Sequence, residues 1–190
     1  RDLHSFPTRR SSDLAKVLAK KYFDDKGYKN AEINIVQRDD NNSKNQVTLD
    51  VNIDKKKKMK VHKIYIDGNK ELSDKKLKGG LFKKGAFSKI HESGTLASFL
   101  KSKKYTLERW EEDKKNLIAK YNEYGYRDAT IVKDSVWNVD DSHVAIYVKV
   151  DEGKKYYIRN ITWVGNTVYT TDQLSRLLNM HKGDVYNQKY

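Results

Sequence analysis

Residues that could support catalysis or bind metal are scattered along this 190-residue chain. The pairs or runs of acidic residues at positions 111–113 and 140–141 are typical of a solvated helix face or turn. Residues 39–42 resemble a calcium loop only superficially, because the spaced ligands and terminal Glu are missing. No HExxH or similar ligand pair occurs among the histidines that follow the first few residues, which are far apart in sequence. These are His62, His91, His143 and His181. The sequence therefore predicts no enzyme, no cofactor and no metal site.

Composition narrows the class of protein further. The chain has no cysteine, so a disulfide framework and a thiolate metal site are excluded, and either a cytosolic or a periplasmic location is compatible. No apolar run approaches the ~18 to 20 residues that a membrane-spanning helix needs. The formal net charge of +13 favours contact with anionic surfaces without choosing among nucleic acid, lipid and acidic protein. A lysine-rich solvated surface is the simpler interpretation of that charge.

The first fourteen residues are set aside from the fold. Residues 1–14 read, codon by codon, as a translated sequencing-library adapter, and we expect them to be disordered. The alternative is a genuine basic, Ser-rich targeting segment. Leaving them out removes three arginines and two aspartates, and lowers the net charge by one.

The elements that would position any functional residue are organised as a repeat. Residues 47–54 align without a gap with residues 144–151, and residues 64–69 align with 161–166, both 97 positions later. The match continues upstream with small drifts in spacing. There, Gly27, Tyr28 and Ala31 correspond to Gly125, Tyr126 and Ala129, and Leu18 and Tyr22 correspond to Leu117 and Tyr121. Such periodicity predicts an array of similar modules.

Hydrophobic patterns predict the elements within the array. A helix is expected over 15–26, strands over 31–36 and 47–53, and another strand over 62–67. Ser73 is placed to cap a helix that carries Leu77, Leu81 and Phe82, and a long extended connection over 79–105 follows. A strong helix begins near Thr106, with Trp110 and Tyr121 as core residues. Strands over 130–136 and 144–150 complete this module, and a later copy has a capping box formed by Thr170 and Gln173 before an apolar stripe. That stripe is Leu174, Leu177 and Leu178.

The predicted fold class is α+β, with two helices packed on one face of a three-stranded mixed sheet. Because two helices separate them, the first and last strands of the module can pair in parallel. The strand over 130–136 would then lie at the edge of the sheet. The predicted domains are the C-terminal part of one module at 15–60, a complete module at 61–155 and the N-terminal part of the next at 156–190.

Several motifs in this order carry a family resemblance. The Gly125-to-Ala129 motif, the Asp151-Glu152-Gly153 signature and the Gly165-Asn166 turn precede a Lys-Gly-Asp-Val-Tyr stretch at 182–186. Together they resemble the POTRA domains of BamA-like, Omp85-family outer-membrane protein assembly factors, over residues 15 to 190. The first copy departs from the signature, since lysines at 55–58 follow Asp54. The connection over 79–105 is also longer than a minimal POTRA connection.

The resemblance implies a periplasmic function. It implies transient binding of nascent outer-membrane β-barrel proteins and docking of accessory lipoproteins, in a protein held in the outer membrane by a C-terminal barrel beyond residue 190. We expect a signal peptide and further copies upstream. A POTRA array of a related secretion system, such as a two-partner secretion or TamA-like protein, is the alternative.

A binding site for such a client is predicted at the sheet edge. An edge strand has unpaired backbone N–H and C=O groups that can pair with an extended segment of another chain. The residues predicted to line this edge are Thr130, Val132, Asp134 and Val136. A strand covered by its own loop or by a neighbouring domain is the competing interpretation.

Nucleic-acid binding is the second functional class. Lysines at 55–58 and 101–104, with Tyr105 and Trp110 near the second group, could form a phosphate-binding surface with stacking residues. The GXXG loop of KH domains and the aromatic RNP1 pattern are both missing, so the sequence favours a protein with no nucleic-acid partner.

Overall fold

The computed structural model describes residues 6–39, 46–79, 85–94, 104–165 and 167–187. The elements in chain order are α1 (Phe6–Asp25), β1 (Glu32–Asp39), β2 (Val47–Asp54), β3 (Lys60–Asp67), α2 (Asp74–Lys78), α3 (Leu107–Glu123), β4 (Thr130–Asp140), β5 (His143–Asp151) and α4 (Thr171–Leu178). Most were predicted within a few residues. The largest difference among the strands is β4, which continues four residues past the predicted end at Val136.

The strands form two sheets. Strands β1 and β2 pair antiparallel from Glu32 opposite Asp54 to Asp39 opposite Val47. The other three strands form a mixed sheet in the order β3-β5-β4, with α2 and α3 between β3 and β4 in the chain. The predicted α+β class is confirmed. The strands also have the predicted neighbours, since β3 lies beside β5 and β4 lies at an edge.

The chain folds into two compact units, each with its own core. One comprises residues 1–64, 89–112 and 136–146, and the other comprises 65–88, 113–135 and 147–190. The first core includes Met59, Val61, Ile64, Ile90, Tyr105, Trp110, Val144 and Ile146, and the second includes Leu72, Leu77, Phe87, Leu117, Tyr121, Tyr126, Val148 and Val150. Burial of Trp110 and Tyr121 agrees with the prediction that both are core residues.

Helix α1 begins at Phe6, inside the segment that was expected to be disordered. Residues 6–14 continue the helix that the sequence predicted over 15–26, and residues 1–5 lie outside the described part. Adding residues to an existing helix costs far less free energy than starting one, which accounts for the extension. Several of its apolar side chains are exposed, including Val17 and Leu18.

Helices α2 and α4 begin where the sequence predicted, but only one of the two predicted N-caps forms its side-chain hydrogen bond. Thr170 and Gln173 form the predicted capping box of α4, whereas Ser73 occupies the N-cap of α2 without a side-chain cap hydrogen bond. Leu81 and Phe82 lie outside the described residues. The predicted apolar stripe of α4 contains no buried residue, and Leu177 is strongly exposed.

The strand expected after residue 156 by analogy with β3 is reduced to one isolated antiparallel bridge, Tyr157 with Val185. A ladder needs a partner strand, and the described part of the chain offers residues 157–164 none beyond this bridge. Trp163 nevertheless contacts α4, because its indole N–H donates to the Ser175 hydroxyl at 3.1 Å.

Candidate functional site

The four residues predicted to line a binding edge all lie on β4, which has a neighbouring strand on one side in the order β3-β5-β4. Thr130 is exposed and Val132 is 61% exposed. Asp134 and Val136 are half-buried, and a carboxylate oxygen of Asp134 lies 3.3 Å from the Lys114 ammonium. The structure therefore brings these side chains to a sheet edge.

The edge extends beyond the residues that sequence reasoning identified. Trp137 and Val139 lie on the same strand and are 44% and 47% exposed. Their signal was the alternation of Trp137 and Val139 with polar residues, which lies on the face opposite to that of Val132 and Val136. The result is an edge strand with several exposed apolar side chains along its length.

The opposite edge of the sheet, at β3, is partly covered by residues 92–93. Val61 forms a parallel bridge with Glu92, and the Ser93 amide donates to the Val61 carbonyl at 2.7 Å. The Ile64 amide donates to the Glu92 carboxylate at 2.8 Å. Sequence reasoning missed this cover, because the connection over 79–105 has no strand-like alternation.

Backbone hydrogen bonds join three separate segments of the chain at what we call the first junction, formed around Gly27, Met59 and Tyr105. The Met59 amide donates to the Gly27 carbonyl at 2.8 Å, and the Tyr105 amide donates to the Met59 carbonyl at 2.8 Å. Gly27 has φ +89°, and a Cβ there would lie 2.8 Å from the Lys104 side chain. Glycine is needed here because both the backbone conformation and the close approach disfavour a side chain.

The second junction, around Gly125, Tyr156 and Tyr186, repeats this arrangement. The Tyr156 amide donates to the Gly125 carbonyl at 2.9 Å, and the Tyr186 amide donates to the Tyr156 carbonyl at 3.0 Å. Tyr105 and Tyr186 are therefore equivalent. Since Tyr105 follows Gly68 by 37 residues and Tyr186 follows the equivalent Gly165 by 21, the complete module contains 16 additional residues.

The helix that precedes each junction ends in the same way. The Tyr28 amide donates to the Phe23 carbonyl, as the Tyr126 amide does to the Tyr121 carbonyl. Each of these ring pairs is edge-to-face, with centroids 6.3 Å and 6.1 Å apart. Phe23, rather than Tyr22 as the sequence alignment suggested, is thus the counterpart of Tyr121.

The junctions differ in charge. At the second, Asp128 accepts hydrogen bonds from the Tyr156 hydroxyl at 2.5 Å and from Arg127 at 3.1 Å, and these donors lower the pKa of Asp128 below its usual value. At the first, Asn30 stands where the second has Asp128. Its amide donates to the Asp141 carbonyl at 3.3 Å. The first junction therefore lacks this carboxylate.

Glu152 is a buried carboxylate of the second unit. It accepts hydrogen bonds from the amides of Lys70, Glu71 and Leu72 at 3.0 to 3.3 Å. Burial, followed by the charge of Glu152, raises the pKa of Tyr121 far above its ordinary value. Three backbone donors satisfy the buried carboxylate, which indicates a structural role in holding the turn before α2.

Other candidate chemistry is not assembled in the described ranges. His62 and His143, far apart in sequence, have ring centroids 6.3 Å apart, and Nδ1 of His143 lies 2.9 Å from the Asp140 carboxylate. No group of three or more His, Cys, Asp or Glu residues among the described ones could hold a metal ion. None of the helices in those ranges has the length and apolar character that crossing a bilayer requires.

The rings proposed for base stacking are not accessible. Tyr105 is 6% exposed and Trp110 is 1% exposed, so neither presents a face to a nucleic acid. Lys101 and Lys103 lie outside the described residues. Stacking at these two positions is therefore excluded.

Comparisons with known proteins complete the description. A family model described as "POTRA: Surface antigen variable number repeat" matches residues 59–153 and 156–189. The outer membrane protein assembly factor BamA of Neisseria meningitidis serogroup B is 25% identical over 149 residues, which cover 77% of this chain and 18% of that protein. The same factor of Nitratidesulfovibrio vulgaris is 27% identical over 141 residues, which cover 72% of this chain and 17% of that protein. The chain thus spans less than one fifth of the length of these relatives.

A solved structure is also similar. The crystal structure of Haemophilus influenzae BamA POTRA3-5 has a TM-score of 0.47 and 20% sequence identity to this chain, and the alignment covers 90% of this chain and 61% of that one.

Proposed function

Because the chain belongs to the POTRA family, we propose that it is a periplasmic scaffold of outer-membrane protein assembly and not an enzyme. Its relatives are named for that assembly. In this proposal the chain binds nascent outer-membrane proteins and docks accessory lipoproteins. Nascent strands bind by adding to β4.

The observation that carries the proposal is the contrast between the two edges of the three-stranded sheet. β4 carries the exposed apolar residues Val132, Trp137 and Val139, whereas β3 is partly covered by residues 92–93. An extended client would gain backbone hydrogen bonds at β4, and apolar contacts would add to them. Weak side-chain selectivity suits clients that share strand character but not sequence.

The test is site-specific photocrosslinking of the 190-residue chain to a ten-residue peptide of alternating apolar and polar residues. We expect crosslinks from a photoreactive residue at Thr130, Val132, Asp134 or Val136. The matched control places the same group at Tyr65, an exposed position of β3. Equal crosslinking from β3 and β4 would contradict the proposed site.

A second measurement tests the backbone contribution. Replacing Val132 with proline is expected to weaken crosslinking from Val136, because proline cannot donate to a ladder and distorts an edge strand. Val132→Lys serves as a separate variant that keeps the amide and discourages strand addition by charge. Circular dichroism checks the fold of both variants. Unchanged crosslinking in both would sink the idea of strand addition.

A further inference from the structure

The first junction contains a group of five positively charged side chains, which we call the basic cluster: Lys26, Lys29, Lys58, Lys104 and Arg109. The Lys104 ammonium donates to the Lys26 carbonyl at 2.8 Å, and the Arg109 guanidinium donates to the Lys104 carbonyl at 3.2 Å. The Lys29 ammonium lies 5.8 Å from the centre of the Tyr105 ring, and that of Lys58 lies 5.3 Å from the centre of the Tyr28 ring. Each of these side chains therefore lies in or against the turn at 26–29 or the segment 104–105 that contacts it.

This charge is not neutralised by the part of the chain that the structure describes. No carboxylate there forms an ion pair with any member of the basic cluster, although lysines elsewhere pair readily, as Lys89 does with Glu112 at 2.7 Å. Burial, followed by the charges of Arg109, Lys58 and Lys26, lowers the pKa of Lys104. Like charges this close repel one another, and a bound anion would relieve that repulsion.

The second junction provides an internal comparison. Arg127, the counterpart of Lys29, pairs with Asp128 at 3.1 Å. The equivalent carboxylate is absent from the first junction, where Asn30 replaces it. The same backbone arrangement thus exists with this position paired to a carboxylate at the second junction and without that carboxylate at the first.

We propose that the basic cluster binds an acidic polypeptide segment, whose carboxylates take the place that Asp128 fills at the second junction. Arg109 offers a planar fork that matches a carboxylate, and the lysines add less directional charge. This site shares no residue with β4 and would bind through charge rather than through backbone pairing. A negative result at one site would therefore leave the proposal for the other unaffected.

The partial burial of three members of the basic cluster favours a polypeptide over a bilayer. Lys29, Lys104 and Arg109 are half-buried, and Tyr105 is buried. Lys26 and Lys58 are exposed, as is the Tyr22 ring beside Lys26, and such groups also suit a membrane surface. A flexible chain can bring single carboxylates to the half-buried members as well, whereas a flat lipid surface contacts mainly the exposed ones.

The experiment measures binding of a fluorescein-labelled decaglutamate peptide to the 190-residue chain by fluorescence anisotropy. The test variant combines Lys26→Gln, Lys29→Gln and Lys58→Gln. The matched control combines Lys154→Gln, Lys155→Gln and Lys182→Gln around the second junction, and it lowers the net charge equally. We expect the test variant to raise Kd about tenfold and the control about twofold or less, with the affinity falling as salt is added.

Two results would overturn the proposal. Equal losses in the two triple variants would mean that the peptide responds only to net charge. Cluster-dependent binding to vesicles of phosphatidylglycerol and phosphatidylcholine, without peptide binding, would assign the cluster to lipid. If circular dichroism shows that the triple variant is unfolded, Lys58→Glu at an exposed position replaces it, and a loss of peptide affinity is again expected.

Discussion

The two junctions share a backbone arrangement and differ in their side chains. In both, a glycine with φ near +90° accepts a hydrogen bond from an amide just over thirty positions later, at Gly27 and Gly125. The first junction concentrates positive charge, whereas the second pairs its arginine with Asp128. Geometry at both junctions is therefore set by glycines and main-chain hydrogen bonds, which leaves the charge of the side chains free to differ between copies.

The largest expected difference between the copies concerns Glu152 and its counterpart Lys55. Replacing Glu152 with alanine leaves three amides before α2 without their acceptor, and we expect a loss of about 3 kcal/mol in the free energy of unfolding. Lys55→Ala changes an exposed side chain and should have little effect. Urea denaturation of both variants checks this, and similar losses would show that the copies are not distinguished here.

A smaller difference in stability is expected between alanine substitutions of the two junction glycines, Gly27 and Gly125. A Cβ at Gly125 would lie 2.5 Å from Cγ1 of the stiff Val185 side chain, whereas a Cβ at Gly27 would meet the flexible Lys104 side chain. We expect Gly125→Ala to cost about 3 kcal/mol and Gly27→Ala about 1–2 kcal/mol, including the positive φ at both sites. Hydrogen exchange at the Tyr156 and Met59 amides reports each junction separately. Greater loss of protection at Met59 would reverse the expected order.

A smaller difference in stability is expected at the equivalent positions Lys56 and Gly153. Both have positive φ, +53° for Lys56 and +65° for Gly153, but only glycine adopts this region without strain. Lys56→Gly should raise the Tm by about 2 °C despite losing exposed ion pairs, and Gly153→Lys should lower it by a similar amount. Thermal melts followed by circular dichroism measure both. A decrease in both variants would show that the Lys56 ion pairs outweigh the backbone strain.

The smallest effect concerns pH. The Tyr156 hydroxyl, and then Arg127, lower the pKa of Asp128 below its ordinary value of 3.8. A folded-state pKa below the unfolded value means that the stabilisation is present above pH 3.8 and is lost as pH falls through the lower folded value. Asp128→Asn should therefore be slightly less stable than the unmodified chain at pH 7. Urea denaturation of both proteins at pH 7 and at a pH below the folded-state pKa of Asp128 should show that the difference in stability disappears in acid. A difference that is the same at the two pH values would contradict the proposed contribution of the Asp128 carboxylate.

Sequence reasoning was most successful where a pattern repeats locally. The α+β class, the resemblance to POTRA domains and the capping box of Thr170 were confirmed, because alternation, glycine spacing and helix caps are encoded by neighbouring residues. The edge position of β4 followed from chain order and the crossover rule. Client binding at that edge stays a prediction, as do the domain boundaries.

Features that depend on distant residues were not predicted. Glu152 became informative only when folding brought it to Lys70–Leu72, about eighty positions away. The basic cluster brings together residues that lie between positions 26 and 109. The absence of a carboxylate at Asn30 is recognised only by comparison with Asp128 in the second copy. The cover on β3 comes from the connection over 79–105, whose composition resembles that of an ordinary loop. In each case the signal lies in the tertiary contact rather than in periodicity.

The cover that Glu92 and Ser93 place on β3 also limits self-association. A sheet with two open edges can pair with a copy at each end, and repeated pairing of that kind builds an open-ended filament. With β3 obstructed, pairing between two copies through β4 uses up the remaining edge of each, so growth stops at the dimer. The contacts of Glu92 and Ser93 with β3 would therefore restrict strand pairing between copies to β4.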